Sequence, residues 1–169
     1  LVELSALLHD LGDYKMYGYS EDKGNLVLDG MMDILEISPD IQEKIMLIVR
    51  QSQFKGKDTE TPDSIEGKII QDSDWLEAIG AIGIARAFAT GCVFRRMLYD
   101  PEIKPRKNLD KHTHQRNKKE GTSFNYFLEK SLVVADMMNT TTAKKIAQQR
   151  KSFLQLYINQ FLAEWRGEK

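Results

Sequence analysis

Apolar positions recur along the chain every three or four residues, the spacing that lines one face of an α-helix. Leu1, Leu4, Leu7, Leu8 and Leu11 open the pattern and predict a first helix over 1–11, with Gly12 as its stop. Met31, Met32, Ile34 and Leu35 mark a second apolar segment, 26–37. Ser38-Pro39 then reads as a cap followed by proline in the first turn, with Ile41, Ile45, Leu47 and Ile48 as the buried face of the next helix. Residues 54–61 are polar and predict a loop. Thr61-Pro62 repeats the cap-and-proline signal, and a long helical stretch is expected over 63–89, with Gly80 and Gly83 marking close packing or a break. After a polar stretch at 101–121, Thr122 or Ser123 caps a helix carrying Phe124, Phe127, Leu128, Leu132 and Ala135. The last helix is expected over 140–165, with Ile146, Phe153, Leu154, Tyr157, Phe161 and Trp165 as its stripe and Gly167 as its end.

The pattern predicts an all-α fold in a single compact helical bundle, with no internal repeat and no second domain. The length of 169 residues suits one domain, and 41% hydrophobic residues are enough to bury a core. The net charge of −1 excludes a dedicated nucleic-acid binder, whose domain is strongly basic. No apolar run approaches the roughly 20 residues that span a bilayer, so no membrane partner is expected. Cys92 is the single cysteine, which excludes a disulfide within the chain and suits a reducing cytoplasm. The first helical pattern starts without a cap, so the expectation is that a preceding helix of the parent protein is absent.

Two places carry candidate chemistry. His9 and Asp10 are adjacent at the close of the first helix, where neighbours differ by about 100° around the axis and can converge on one point. A neutral imidazole and a carboxylate together suit a divalent ion of the Mn, Fe, Co or Ni type. The competing reading is a capped helix-end histidine followed by a turn. The second place is Asp72-Ser73-Asp74, set among Ile69, Ile70, Leu76 and Ile79. Carboxylates in such company need a partner or a metal. The two cannot lie on one helical face, so one can bind metal while the other anchors a neighbour.

These segments resemble the HD superfamily of metal-dependent phosphohydrolases. One bacterial branch of it carries stretches similar to ALLHDLGDYK, EGKIIQDSDWLEAIGAIGIARAF and DMMNTTTAKKIAQQRKSF, all present here in that order. The resemblance implies a divalent ion (Mn, Mg, Fe, Co or Ni) held by a first His, an adjacent His-Asp pair and a distant Asp. It assigns the pair to His9 and Asp10. It assigns the distant carboxylate to Asp74, which stands in the family's Asp-x-Leu context with Leu76. The first His belongs upstream of Leu1 by order, and His112 and His114 cannot replace it. Trp75, Ser73 and Ser52-Gln53-Phe54 also depart from the pattern of relatives, which bears on substrate preference.

The implied activity is hydrolysis of a small-molecule nucleotide, a nucleoside triphosphate or similar phosphate ester, with metal-activated water attacking phosphorus. Lys15 and Arg86 are the expected phosphate contacts, although Arg86 can instead pair with Glu66 or Asp72. Asp13 and Glu66 are the expected groups to orient water or take a proton. The stretch 101–121 reads as a flexible, solvated basic loop. The alternatives are a regulatory HD domain that binds a nucleotide without turnover, and a helical domain with a vestigial site. Oligomeric state is not legible.

Overall fold

The computed structural model describes residues 1–18, 20–107, 109 and 121–168, without the side chains of Tyr14, Lys15 and Lys57. The basic stretch with His112 and His114 lies outside the described residues. All regular structure among the described residues is helical. Among these residues, seven α-helices run in the order α1 Val2–Leu8, α2 Glu21–Ile34, α3 Pro39–Ser52, α4 Ile65–Leu76, α5 Gly80–Val93, α6 Leu132–Asp136 and α7 Thr141–Trp165. The all-α expectation holds. Contacts divide the chain into two compact units, 1–71 and 72–169, with the boundary inside α4.

The first unit is built on the apolar faces of α1, α2 and α3. Leu8, Leu28, Met32, Ile45 and Val49 form its core, with Leu4, Leu11, Met31, Ile37, Ile41 and Met46 packed around them. Leu47, expected on the buried face of α3, points to solvent. The second helix starts earlier than its apolar residues suggest, because Ser20 caps it by accepting the Lys23 N–H at 3.3 Å and Glu21 and Asp22 occupy its first turn. Before α4, Ser64 takes the capping role expected of Thr61, its hydroxyl accepting the Gly67 N–H at 3.0 Å.

In the second unit, the single stretch expected over 63–89 is two helices. Glu77–Ile79 break it, and Gly80 restarts the chain at φ +72. A side chain is excluded at Gly83, where a Cβ would lie 2.4 Å from the Ala78 carbonyl carbon. The helix expected from Phe124 to Ala135 contains a π turn, Phe127–Ser131, ahead of α6. Helix α7 matches the expected span, with Thr140 accepting the Ala143 N–H at 3.2 Å and Gly167 beyond its end at φ +72, but Phe153 and Trp165 of the expected stripe are exposed. Phe124, Phe127, Leu154 and Ile158 are buried here, and Phe124 stacks on Phe161 with ring centroids 4.6 Å apart. Among the described residues no single helix is long and apolar enough to cross a membrane.

Candidate functional site

Helix α1 stops at Leu8, three residues before the predicted Leu11. The chain then turns through 9–12 into a 3-10 turn, Tyr14–Tyr17. Gly12 is not the helix stop. It lets the turn pack tightly, since a Cβ there would meet Val49 Cγ1 at 2.9 Å and Leu28 Cδ2 at 3.1 Å. The Tyr17 hydroxyl donates to the Leu11 carbonyl at 2.8 Å, and Gln53 Nε2 donates to the Gly12 carbonyl at 3.3 Å. Two side chains from outside the turn thus fix its backbone, which sets where His9 and Asp10 begin.

His9 retains helical backbone angles as the C-cap of α1. Its Nδ1 lies 2.6 Å from the Ala6 carbonyl oxygen. A carbonyl only accepts, so Nδ1 carries the proton, and in the neutral ring Nε2 keeps its lone pair. That Nε2 lies 3.3 Å from Asp10 Oδ1. Two electron-pair donors at this distance repel unless a proton or a cation sits between them. A cation bonded at about 2.1 Å to both would hold them about 3.0 Å apart at a right angle and about 3.4 Å apart at the tetrahedral angle. The separation is that of an ion pair when the ring carries both protons, and it leaves room for a cation when Nε2 is bare. The accessibility of the pair also suits a ligand, with the His9 side chain 28% and the Asp10 side chain 83% exposed.

Asp13 is half-buried at the entrance to the 3-10 turn, its N–H donating to the Asp10 carbonyl at 3.1 Å. Lys15 sits on that turn, and its side chain lies outside the described residues. Glu66 is half-buried in the first turn of α4.

The second unit separates the two neighbouring aspartates. Asp72 is 2% exposed. Its carboxylate accepts the Asn139 N–H at 2.7 Å, the Asn139 side-chain amide at 2.9 Å and the Thr140 N–H at 2.8 Å. It is the anchor of the two, clamping the start of α7. Asp74 is half-buried and lines an open cleft of about 110 Å³ with Glu77, Arg86, Arg96, Tyr126 and Lys130. Asp74 and Arg86, singled out in the sequence for different roles, therefore share one cleft. Arg86 pairs with Glu77 rather than with Glu66 or Asp72.

Arg96, Lys130, Tyr126 and Glu77 were not expected from sequence. They come from the break after α4, the exit of α5 and the π turn, three features that the period of apolar residues does not reveal. Among the described residues no group of three or more His, Cys, Asp or Glu is gathered closely enough to hold a metal ion.

An all-helical protein whose first helix ends on an adjacent His–Asp pair is the class that fold and site define. No family model matches the chain. The Bacillus subtilis protein YpgQ is 33% identical over 167 residues, which cover 95% of this chain and 70% of YpgQ. A crystal structure from Lactobacillus plantarum matches with a TM-score of 0.86 at 32% identity, over 99% of this chain and 76% of that one. A Bacillus thuringiensis HD-superfamily hydrolase matches with a TM-score of 0.67 at 35% identity, over 99% and 74%. YpgQ has also been crystallised in complex with ADP, a structure that matches with a TM-score of 0.68 at 31% identity, over 96% and 72%. The chain belongs to the HD superfamily.

Proposed function

We propose that the chain is a divalent-metal-dependent phosphohydrolase acting on a small-molecule nucleotide. The observation that carries this reading is the His9–Asp10 pair, whose tautomer and 3.3 Å separation suit a cation between the two donors. The ADP complex of YpgQ supports the nucleotide as ligand class. His9 and Asp10 would hold the ion, and the family resemblance adds Asp74 as a further ligand. Such an ion would lower the pKa of water and polarise a phosphoryl oxygen.

The other roles belong to the chain. The Ala6 carbonyl holds the His9 proton on Nδ1 and so keeps Nε2 a donor of electrons. Asp13 and Glu66 are the proposed groups to orient the attacking water or accept its proton. Lys15 and Arg86 are the proposed phosphate contacts, the guanidinium offering a planar fork to two phosphate oxygens. The ion could be Mn, Mg, Fe, Co or Ni, all of which accept nitrogen and carboxylate donors.

The test is to titrate the purified protein with Mn²⁺ and then assay release of phosphate or pyrophosphate from a panel of nucleotides. Cleavage by wild type, with loss by orders of magnitude in Asp74→Ala and weakened Mn²⁺ binding in His9→Ala, is the expected result. One observation favours a second reading, a regulatory domain that binds a nucleotide without turnover: no three donors are gathered among the described residues. Metal and nucleotide binding with no cleavage of any panel member would decide for it.

A further inference from the structure

The cleft of the second unit is more cationic than the proposed reaction alone uses. Arg86, Arg96 and Lys130 line it, against the carboxylates Asp74 and Glu77. The three cations come from three different segments, and the backbone fixes the two that were unexpected.

The chain leaves α5 through Arg95 at φ 55, and the Arg96 N–H donates back to the Gly91 carbonyl at 2.9 Å. The Arg96 guanidinium then lies over the Phe94 ring, 5.4 Å from its centroid. Lys130 sits inside the π turn with Nζ 5.8 Å from the Tyr126 ring centroid. Its neighbour Glu129 is buried and takes Arg106 Nε at 3.1 Å on both carboxylate oxygens. A π turn interrupts the regular ladder, and such interruptions recur at functional sites. Ring faces restrain both cations, so less side-chain entropy is lost when an anion arrives.

Arg86 already holds an anion, the carboxylate of Glu77. A carboxylate presents two oxygens to a guanidinium much as a phosphate does. Both partners are more than half exposed, with side-chain accessibilities of 56% and 60%, so exchanging one anion for another involves little desolvation.

We propose that Arg96 and Lys130, together with Arg86, form a phosphate-binding site in this cleft. Glu77 is the resident anion that an incoming phosphate displaces from Arg86. The proposal rests on the nucleotide reading above and deepens it by assigning the residues that contact phosphate and the carboxylate that competes with it. It makes the cleft a site for phosphate groups, whether carried on a nucleotide or free.

The test is calorimetric titration of the whole chain with ADP in the presence of a chelator, followed by competition with inorganic pyrophosphate. Arg96→Ala and Lys130→Ala should each weaken ADP about tenfold or more, the scale of losing a charge-assisted hydrogen bond. Glu77→Gln should tighten ADP severalfold, because an amide no longer competes for Arg86. Arg96→Lys should retain part of the affinity, and unchanged melting temperatures should show that the variants fold. Pyrophosphate should displace ADP, whereas adenosine should bind no differently in wild type and variants.

Folded Arg96→Ala and Lys130→Ala proteins with wild-type ADP affinity would overturn the site. ADP binding that pyrophosphate does not compete with would overturn it as well. An unchanged affinity in Glu77→Gln would overturn the displacement. Because the titration excludes metal, these results are independent of turnover. A wild type that binds ADP through these residues and cleaves nothing would refute the hydrolase reading and leave the site standing.

Discussion

Asp72 gives the sharpest test of how the second unit is held. Its buried carboxylate accepts three N–H groups at 2.7, 2.9 and 2.8 Å, two of them from the backbone that opens α7. In Asp72→Ala all three donors lose their acceptor inside the protein. Hydrogen bonds to a charged group are worth about 1.5–3 kcal/mol each, so a plain sum reaches about 4.5–9 kcal/mol. The sum overstates the loss, because one group serves all three and water can enter the space left behind. Thr140 also continues to accept the Ala143 N–H, so part of the cap survives.

The expected destabilisation is therefore about 3–5 kcal/mol, which places this variant in the severe class of point mutations. At about 2–4 °C per kcal/mol for a protein of this size, the melting temperature should fall by about 6–20 °C. Asp72→Asn keeps an oxygen for the two Asn139 donors but turns an amide toward the Thr140 N–H, and should lose about 1.5–3 kcal/mol. Urea unfolding followed by circular dichroism reads both, as midpoint shifts at unchanged slope. Asp74→Ala, two residues away, should stay within about 1 kcal/mol of wild type, because Asp74 is half-buried beside a cleft. A loss of less than about 1 kcal/mol in Asp72→Ala, or an equal loss in Asp74→Ala, would refute the division of labour between the two.

Gly83→Ala should lose about 2 kcal/mol or more in the same unfolding assay, because its Cβ would collide with the Ala78 backbone, which cannot rotate away as a side chain can. Gly30→Ala is the matched control: nothing lies within 4 Å of the new methyl, and α2 should gain about 0.5–1 kcal/mol. Tyr157 makes stability depend on alkaline pH. Burial, with a smaller contribution from Glu164, raises its pKa above the usual tyrosine value. The unfolded chain therefore ionises first. The stabilisation is complete below pH of about 10 and fades as pH rises through the higher folded value. Tyr157→Phe should flatten the fall in melting temperature across that window, and an identical pH profile in the two proteins would count against the assignment.

The helices were legible wherever one apolar face is buried in one partner, as in α3 and α7. Legibility failed where tertiary contacts decide. The stretch across Asp74 and Gly80 is continuous in hydropathy, yet Glu77–Ile79 break it. The break depends on a close approach of backbone at Gly83 and on Gly80 at positive φ, where an added Cβ would lie 3.1 Å from the Arg150 side chain. Helix α2 begins upstream of its apolar residues because capping at Ser20, not hydropathy, sets its start. The same limit applies to the cleft. Asp74 and Arg86 stood out through a family pattern and a local motif. Arg96 and Lys130 drew no reading in sequence, since nothing in a linear pattern shows that the exit of α5 and a π turn line one cleft.

The spacing of the two aspartates links anchoring to chemistry. Residues two apart on an α-helix point about 200° apart around its axis, so a carboxylate held on one side directs its second neighbour to the other. Asp72 is held by the start of α7 with three hydrogen bonds. That grip fixes the rotation of α4 about its own axis at this point. Asp74 is thereby turned toward the cleft that Arg86, Arg96 and Lys130 also line. A carboxylate in the role proposed for Asp74 needs its backbone fixed while its side chain stays accessible, and one residue cannot easily meet both demands, because burying a carboxylate uses its lone pairs. Dividing the work between Asp72 and Asp74 meets both. The same grip predicts that Asp72→Asn weakens ADP binding at temperatures where the variant is still folded, because a loosened α4 moves the Asp74 oxygens although no atom of Asp74 has changed; unchanged ADP affinity by calorimetry would refute that link.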